Sequence, residues 1–183
     1  MSSTPTLAQQ VFPQRTIARE VGLQFAAVAL VAALAQLSVD FYPVPVTGQT
    51  LGVLLVGAGL GFRRGSVAMM LYLAVGSMGL PVFAGMRGGF PVLTGGYLIG
   101  FIVSAGTIGL LAEHGFLRTY LRTAVGMVLA TIPVFVLGVG WLMHHVDPKV
   151  AVMDGCVVFL PGAAAKIAVA TAICGRYPRK GNA

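Results

Sequence analysis

Phe41-Tyr42-Pro43-Val44-Pro45-Val46-Thr47-Gly48-Gln49-Thr50 is the stretch on which the reading of this chain turns. The apolar run that follows it, Thr50 to Phe62, has only thirteen residues, whereas about 20 are needed to cross a bilayer. Part of the proline-stiffened segment must therefore enter the membrane depth. Irregular backbone is tolerated there only where it is buried in protein or lines a cavity. A second group of Gly/Pro-rich polar pieces lies beyond the next apolar run: Gly79-Leu80-Pro81-Val82-Phe83, Arg87-Gly88-Gly89 and Thr94-Gly95-Gly96-Tyr97. In so apolar a chain such pieces read as loops and helix ends that line a site.

The surrounding composition fixes the class. Of 183 residues, 57% are hydrophobic and 9% are charged, against about 25% charged in a soluble domain. The apolar stretches are continuous rather than alternating at period two, which disfavours a β-barrel. The chain reads as an all-α membrane protein with a single domain. A polar cytoplasmic segment spans 1–20, a membrane domain 21–175 and a basic cytoplasmic tail 176–183.

Six spans are predicted: Val21 to Val39, Thr50 to Phe62, Ser66 to Leu80, Val92 to Ala112, Thr123 to Met143 and Asp154 to Gly175. Pro133 predicts a kink in the fifth. Residues His144 to Met153 read as an outer loop. Ala33-Leu34-Ala35 resembles a signal-peptide cleavage site, but the rest of the chain is equally apolar, so the first span reads as retained. With the N-terminus placed inside, the inner loops hold nine basic residues: Arg15, Arg19, Arg63, Arg64, Arg118, Arg122, Arg176, Arg179 and Lys180. The outer loops hold two, Arg87 and Lys149. That asymmetry predicts both termini inside. It also explains the net charge of +7 without nucleic acid as a partner. The Pro43–Gln49 and Pro81–Pro91 loops fall on the outer face together.

Lys166 is the twelfth basic residue and lies within the sixth span. Eight or nine residues to either end of that span put it roughly 12–14 Å deep at 1.5 Å per residue. An ammonium at a helix centre costs about 2.5–3.5 kcal/mol on insertion scales. Either neighbouring carbonyls satisfy it or it binds an anionic group of a substrate. Asp154, twelve residues earlier, is too far along the helix to pair with it locally. Thr47, Gln49, Thr50, Thr94 and Tyr97 bring hydrogen-bonding groups to the outer ends of spans. Singly each reads as a cap or interhelical bond. With Lys166 they point to a pocket for a small, partly apolar carboxylated molecule. Arg87 is a second positive group at its mouth or an interfacial anchor.

Small residues recur at four-residue spacing in Gly57/Gly61/Gly65, Gly96/Gly100 and Ala29/Ala33, which permits close helix approach. With Ala26, the Ala29/Ala33 face of the first span is either internal packing or an external docking surface. Cys156 and Cys174 would lie about 27 Å apart on one continuous helix. They predict neither a disulfide nor a metal site. No phosphate-binding Gly-x4-Gly-Lys-Ser/Thr loop occurs. Carboxylates are nearly absent from the spans, and Glu113-His114 and His144-His145 fall on opposite faces. Binding and transport fit these features; an enzyme or a structural assembly protein is not supported by any residue pattern.

The ordered series Pro45-Val46-Thr47-Gly48-Gln49-Thr50, Gly79-Leu80-Pro81-Val82-Phe83, Gly88-Gly89, Thr94-Gly95-Gly96-Tyr97 and Phe159-Leu160-Pro161-Gly162 with Lys166 resembles the BioY family. These are the biotin-specific substrate-binding subunits of energy-coupling factor (ECF) transporters. The resemblance covers roughly residues 20–175. It implies six helices in the inner (cytoplasmic) membrane of a bacterium and a biotin pocket near the outer face, where Lys166 helps hold the vitamin's carboxylate. With Thr47, Gln49, Arg87, Thr94 and Tyr97, the motif glycines Gly88 and Gly89 complete the candidate site. It further implies docking of the first helix, through Ala26, Ala29 and Ala33, to a transmembrane coupling subunit joined to a pair of ATPases. ATP is then used only in those partners, and the chain itself carries no cofactor. Two positions depart from the family pattern. Ala163 stands where an Asp usually follows Pro-Gly, and Val92-Leu93 where Gly-Pro commonly precedes Thr-Gly-Gly. They leave a related subunit, or a solo transporter, for another small carboxylated vitamin or precursor as the alternative.

Overall fold

The computed structural model describes residues 16–175. Arg15 and the basic tail with Arg176, Arg179 and Lys180 lie outside the described residues, as does most of the polar leading segment. Thr16 opens the first helix, α1 (Ile17–Ala35), its Oγ1 accepting from the Arg19 amide at 3.4 Å. A threonine cap followed by Glu20 in the first turn suits the positive end of a helix dipole. The helix consequently starts four residues ahead of the apolar run predicted to mark it. It also stops short of Val39, because Ser38–Val39 (β1) pairs antiparallel with Val46–Thr47 (β2). The segment expected as a plain loop is thus a short hairpin carrying Pro43 and Val44, both buried.

From there α2 (Gln49–Leu60) runs to Gly61, whose φ of +84° turns the chain into α3 (Phe62–Ser77). Arg63 and Arg64, predicted as a turn of their own, lie inside the first turn of α3. Arg64 reaches across to α1: its Nε donates to Glu20 Oε2 at 2.7 Å, and a second guanidinium nitrogen bonds the other carboxylate oxygen. Glu113 Oε1, from the far end of the next helix, accepts from the Phe62 amide at 3.0 Å. That satisfies one of the orphan N–H groups at a helix start.

Helix α4 (Gly95–Glu113) is the central element, packed against α2, α3 and α5 (Tyr120–Leu142). Its small residues are the reason. A Cβ on Gly100 would lie 2.7 Å from Val134 Cα, and Gly57 of α2 faces Ala105 equally closely. Without water to drive association, such backbone contact is how membrane helices cohere. The predicted Gly57, Gly65, Gly96 and Gly100 positions are all buried. Ala26, Ala29 and Ala33 of α1 are all exposed, so that face is not internal packing.

The chain then departs from expectation. Instead of one span after a loop, there are two helices, α6 (Pro148–Gly155) and α7 (Leu160–Cys174), separated by a 3-10 turn at Val157–Phe159. The sequence signal for α6 is Asp147-Pro148: Asp147 caps the Lys149 amide at 2.8 Å and proline occupies the first turn, a favoured helix start. Among the described residues, four apolar helical stretches are long enough to cross a membrane by length and composition. They are Ile17–Ala35, Gly95–Glu113, Tyr120–Leu142 and, taken across its break, Pro148–Cys174; Gln49–Leu60 is a shorter apolar helix. Cys156 and Cys174 are both free, the first half-buried and the second buried.

Candidate binding site

A cavity of about 320 Å³ lies at the hairpin end of the bundle, within the range of roughly 300–1,000 Å³ usual for small-ligand sites. It is bounded by the β1–β2 hairpin, the start of α2, the 83–94 segment, the start of α4, the middle of α5 and one face of α7. All eight predicted substrate contacts line it: Thr47, Gln49, Arg87, Gly88, Gly89, Thr94, Tyr97 and Lys166. Residues from Pro43 of the hairpin to Lys166 of α7, 123 positions apart in sequence, are brought to one chamber.

Their individual roles differ. Lys166 lies six residues past the start of α7 and eight before its end, about 9 and 12 Å along the axis. Phe159, Ala163 and Lys166 follow helical spacing and share the cavity-facing side. Asp154 sits in α6, beyond the 3-10 break. Among the described residues, no carboxylate pairs with Lys166. Arg87 is exposed and stands at the rim. Thr94 lines the chamber, and its side chain makes no cap bond to α4 although it occupies the N-cap position. Tyr97 contributes its ring, since its hydroxyl donates to the Gly155 carbonyl at 2.8 Å.

Gly88 and Gly89 serve the backbone. A Cβ on Gly88 would lie 2.6 Å from the Gly79 carbonyl carbon. Gly89 has φ of +90° and its amide donates to the Gly76 carbonyl at 2.8 Å. At Gly88 a larger residue would meet the Gly79 backbone and lift the loop from the end of α3, whereas at Gly89 there is room for a Cβ and the positive φ is what favours glycine.

Thr47 and Gln49 belong to a chain that the sequence did not disclose. Thr47 Oγ1 donates to Gln49 Oε1 at 2.8 Å, Gln49 Nε2 donates to the Tyr72 hydroxyl at 2.7 Å, and that hydroxyl donates to the Val82 carbonyl at 2.9 Å. Tyr72 is fully buried on α3 and packs edge-on against Phe83, ring centroids 5.4 Å apart. Two further supports were equally invisible. Gln36 at the end of α1 donates to the Phe83 carbonyl at 3.2 Å and accepts from the Met86 amide at 3.0 Å. Trp141 Nε1 donates to the Val92 carbonyl at 2.7 Å. The apolar wall comes from Phe83, Leu98, Phe101, Val134, Phe135 and Phe159.

A chamber with Lys166 inside, Arg87 at its rim, a polar cluster and aromatic walls suits a small molecule with a carboxylate, a hydrogen-bonding head and an apolar middle. Comparison with known proteins agrees on a family. The BioY family profile matches residues 5–182.

The chain belongs to the BioY family.

Among its relatives in that family, the biotin transporter BioY of Thermotoga maritima is 40% identical over 158 residues, covering 82% of this chain and 90% of that protein. The probable biotin transporter BioY of Pyrococcus horikoshii is 35% identical, covering 87% and 96%. The biotin transporter BioY of Rhizobium etli is 34% identical, covering 78% and 82%. Among solved structures, the S-component for biotin from an ECF-type ABC transporter superposes with a TM-score of 0.76, covering 92% of this chain and 97% of that one. At 24% identity that likeness is one of fold.

Proposed function

We propose that this protein is a membrane-embedded biotin-binding subunit that mediates biotin uptake, with no catalytic role of its own. The observation that carries the reading is the convergence of the eight candidate residues on one cavity, with Lys166 as a cation that no described carboxylate neutralises. Biotin presents the matching chemistry: a carboxylate for Lys166, an apolar valeryl chain and thiophane ring for the phenylalanine wall, and a ureido group for the Thr47, Gln49 and Thr94 polar groups. Family membership and the names of the relatives point to the same ligand.

In this reading the chain crosses the membrane six times with both termini in the cytoplasm, following the nine-to-two bias of basic residues. The helical membrane domain then occupies 21–175 between the two cytoplasmic segments, and the cavity faces outward from the inner membrane of a bacterium. Uptake is energised by a coupling subunit and an ATPase pair, and the chain needs no cofactor. The exposed Ala26, Ala29 and Ala33 stripe on α1 is the surface offered to the coupling subunit. Small residues there permit close approach of another helix.

Equilibrium binding of labelled biotin to the purified protein in detergent tests the ligand. Saturable binding is expected. A folded sample that is stabilised thermally by another carboxylated vitamin, but not by biotin, would shift the assignment to that ligand.

A further inference from the structure

Gln49 is a side chain whose orientation decides what it recognises, because its amide has a donor end and an acceptor end. Its neighbours fix that orientation in an ordered way. The Val82 carbonyl can only accept, so the Tyr72 hydroxyl must donate to it, at 2.9 Å. With its hydrogen committed, Tyr72 receives its bond from Gln49 through an oxygen lone pair, so the nearer end of Gln49 must be the nitrogen, at 2.7 Å. The Oε1 end then falls to Thr47, whose hydroxyl donates to it at 2.8 Å. Thr47 is indifferent to the outcome, since a hydroxyl donates or accepts as required. Tyr72, anchored on backbone, is the member that sets the polarity.

The anchored amide has one N–H and one carbonyl lone pair left, and Gln49 lines the cavity. A donor beside an acceptor complements a ligand group that offers a carbonyl beside an N–H. A cyclic urea is such a group.

We infer that Tyr72 is a positioning residue: through Val82 it holds Gln49 with one N–H and one carbonyl lone pair available to the ureido group of the ligand, and thereby sets discrimination at that group. Tyr72 itself does not line the cavity and acts through Gln49. The inference rests on biotin being the ligand.

The test compares biotin with 2-iminobiotin, in which the urea carbonyl becomes part of a guanidinium and offers donors only. Dissociation constants for both ligands are measured on the wild type, Tyr72→Phe, Thr47→Val, Gln49→Ala and the double variant Tyr72→Phe/Gln49→Ala. The wild type is expected to prefer biotin. In Tyr72→Phe the amide is free to turn over, and the preference falls roughly two- to tenfold, the span of one neutral hydrogen bond. Thr47→Val weakens binding but leaves the preference standing. In the Gln49→Ala background, Tyr72→Phe changes the preference no further.

A merely structural role for Tyr72 would lower both affinities in proportion and leave their ratio unchanged, and that result overturns the inference while leaving biotin binding intact. Loss of the preference in Thr47→Val assigns the polarity to Thr47 and also overturns it; this arm stands even where Tyr72→Phe does not fold. No biotin binding by the wild type overturns both this inference and the reading beneath it.

Discussion

Replacing Lys166 with methionine keeps an unbranched apolar side chain, one heavy atom shorter, and deletes the ammonium with its charge and N–H donors. The geometry predicts opposite effects on binding and on stability. In the cavity the ammonium has no carboxylate partner among the described residues, so a bound carboxylate becomes its counter-ion. A hydrogen bond between charged groups contributes about 1.5–3 kcal/mol. Lys166→Met is therefore expected to weaken biotin binding roughly ten- to 150-fold. Without ligand the same lysine is a liability, since an ammonium near the middle of a span costs about 2.5–3.5 kcal/mol on insertion scales. Thermal stability of the ligand-free variant should be equal to that of the wild type or higher. Biotinamide, which lacks the negative charge, isolates the term: its affinity should change little between the two proteins. Calorimetric titration with both ligands and a thermal melt of each protein complete the experiment. Equal affinity of the two proteins for biotin, or an equal loss for biotin and biotinamide, would refute the counter-ion role of Lys166.

Three further outcomes follow from the geometry. Ala163 is buried against the cavity; Ala163→Leu should weaken ligand binding by an overpacking term of about 1–3 kcal/mol while leaving the ligand-free melting temperature nearly unchanged, read by the same titration and melt. Gly88→Ala would set a Cβ 2.6 Å from the Gly79 carbonyl carbon, with backbone on both sides of the contact; displacement of the loop should weaken biotin binding by a comparable amount, and wild-type affinity would show that the loop is not a rigid wall. Leucine at both Ala29 and Ala33, which are exposed, should leave biotin affinity in detergent unchanged but reduce co-purification with the coupling subunit and biotin uptake by cells; unchanged uptake would remove this face as the docking surface.

What the sequence made legible divides along a physical line. Composition and long apolar runs are local properties, and they pointed to the helical membrane class and to six spans; among the described residues, four helical stretches are long enough to cross. The bias of basic residues predicts which loops are inner and which outer, and that prediction grouped Thr47, Gln49, Arg87, Thr94, Tyr97 and Lys166 in one site. Helix limits were less legible where polar residues form regular structure: Arg63 and Arg64 lie in the first turn of α3, where Glu20 of α1 accepts from the Arg64 guanidinium and Gln24 donates to the Arg64 carbonyl. Tyr72, Gln36 and Trp141 were missed for a different reason. Each is an ordinary residue in an apolar span, and its importance lies in a bond to Val82, Phe83 or Val92, 10, 47 and 49 residues away respectively. No spacing rule reports such a bond. The Asp147-Pro148 helix start, in contrast, was available and was read as loop.

Those long-range bonds explain how irregular backbone survives beside the cavity. A carbonyl withdrawn from water and left without a partner costs about 1–3 kcal/mol, and the 78–94 segment has many that no helix ladder can satisfy. The bundle answers with side chains from three helices. Tyr72 of α3 takes the Val82 carbonyl, Gln36 at the end of α1 takes that of Phe83, and Trp141 of α5 takes that of Val92. Tyr97 of α4 does the same for Gly155 at the end of α6. Each clamp meets a backbone demand and fixes a wall of the site in the same bond. The ligand then encounters walls already ordered, and little of its interaction energy is spent on ordering them. It follows that Lys166 and the clamps have different signatures, although Tyr97 both lines the cavity and holds it: removing Lys166 should lower affinity without lowering the melting temperature of the empty protein, whereas removing a clamp should lower both together.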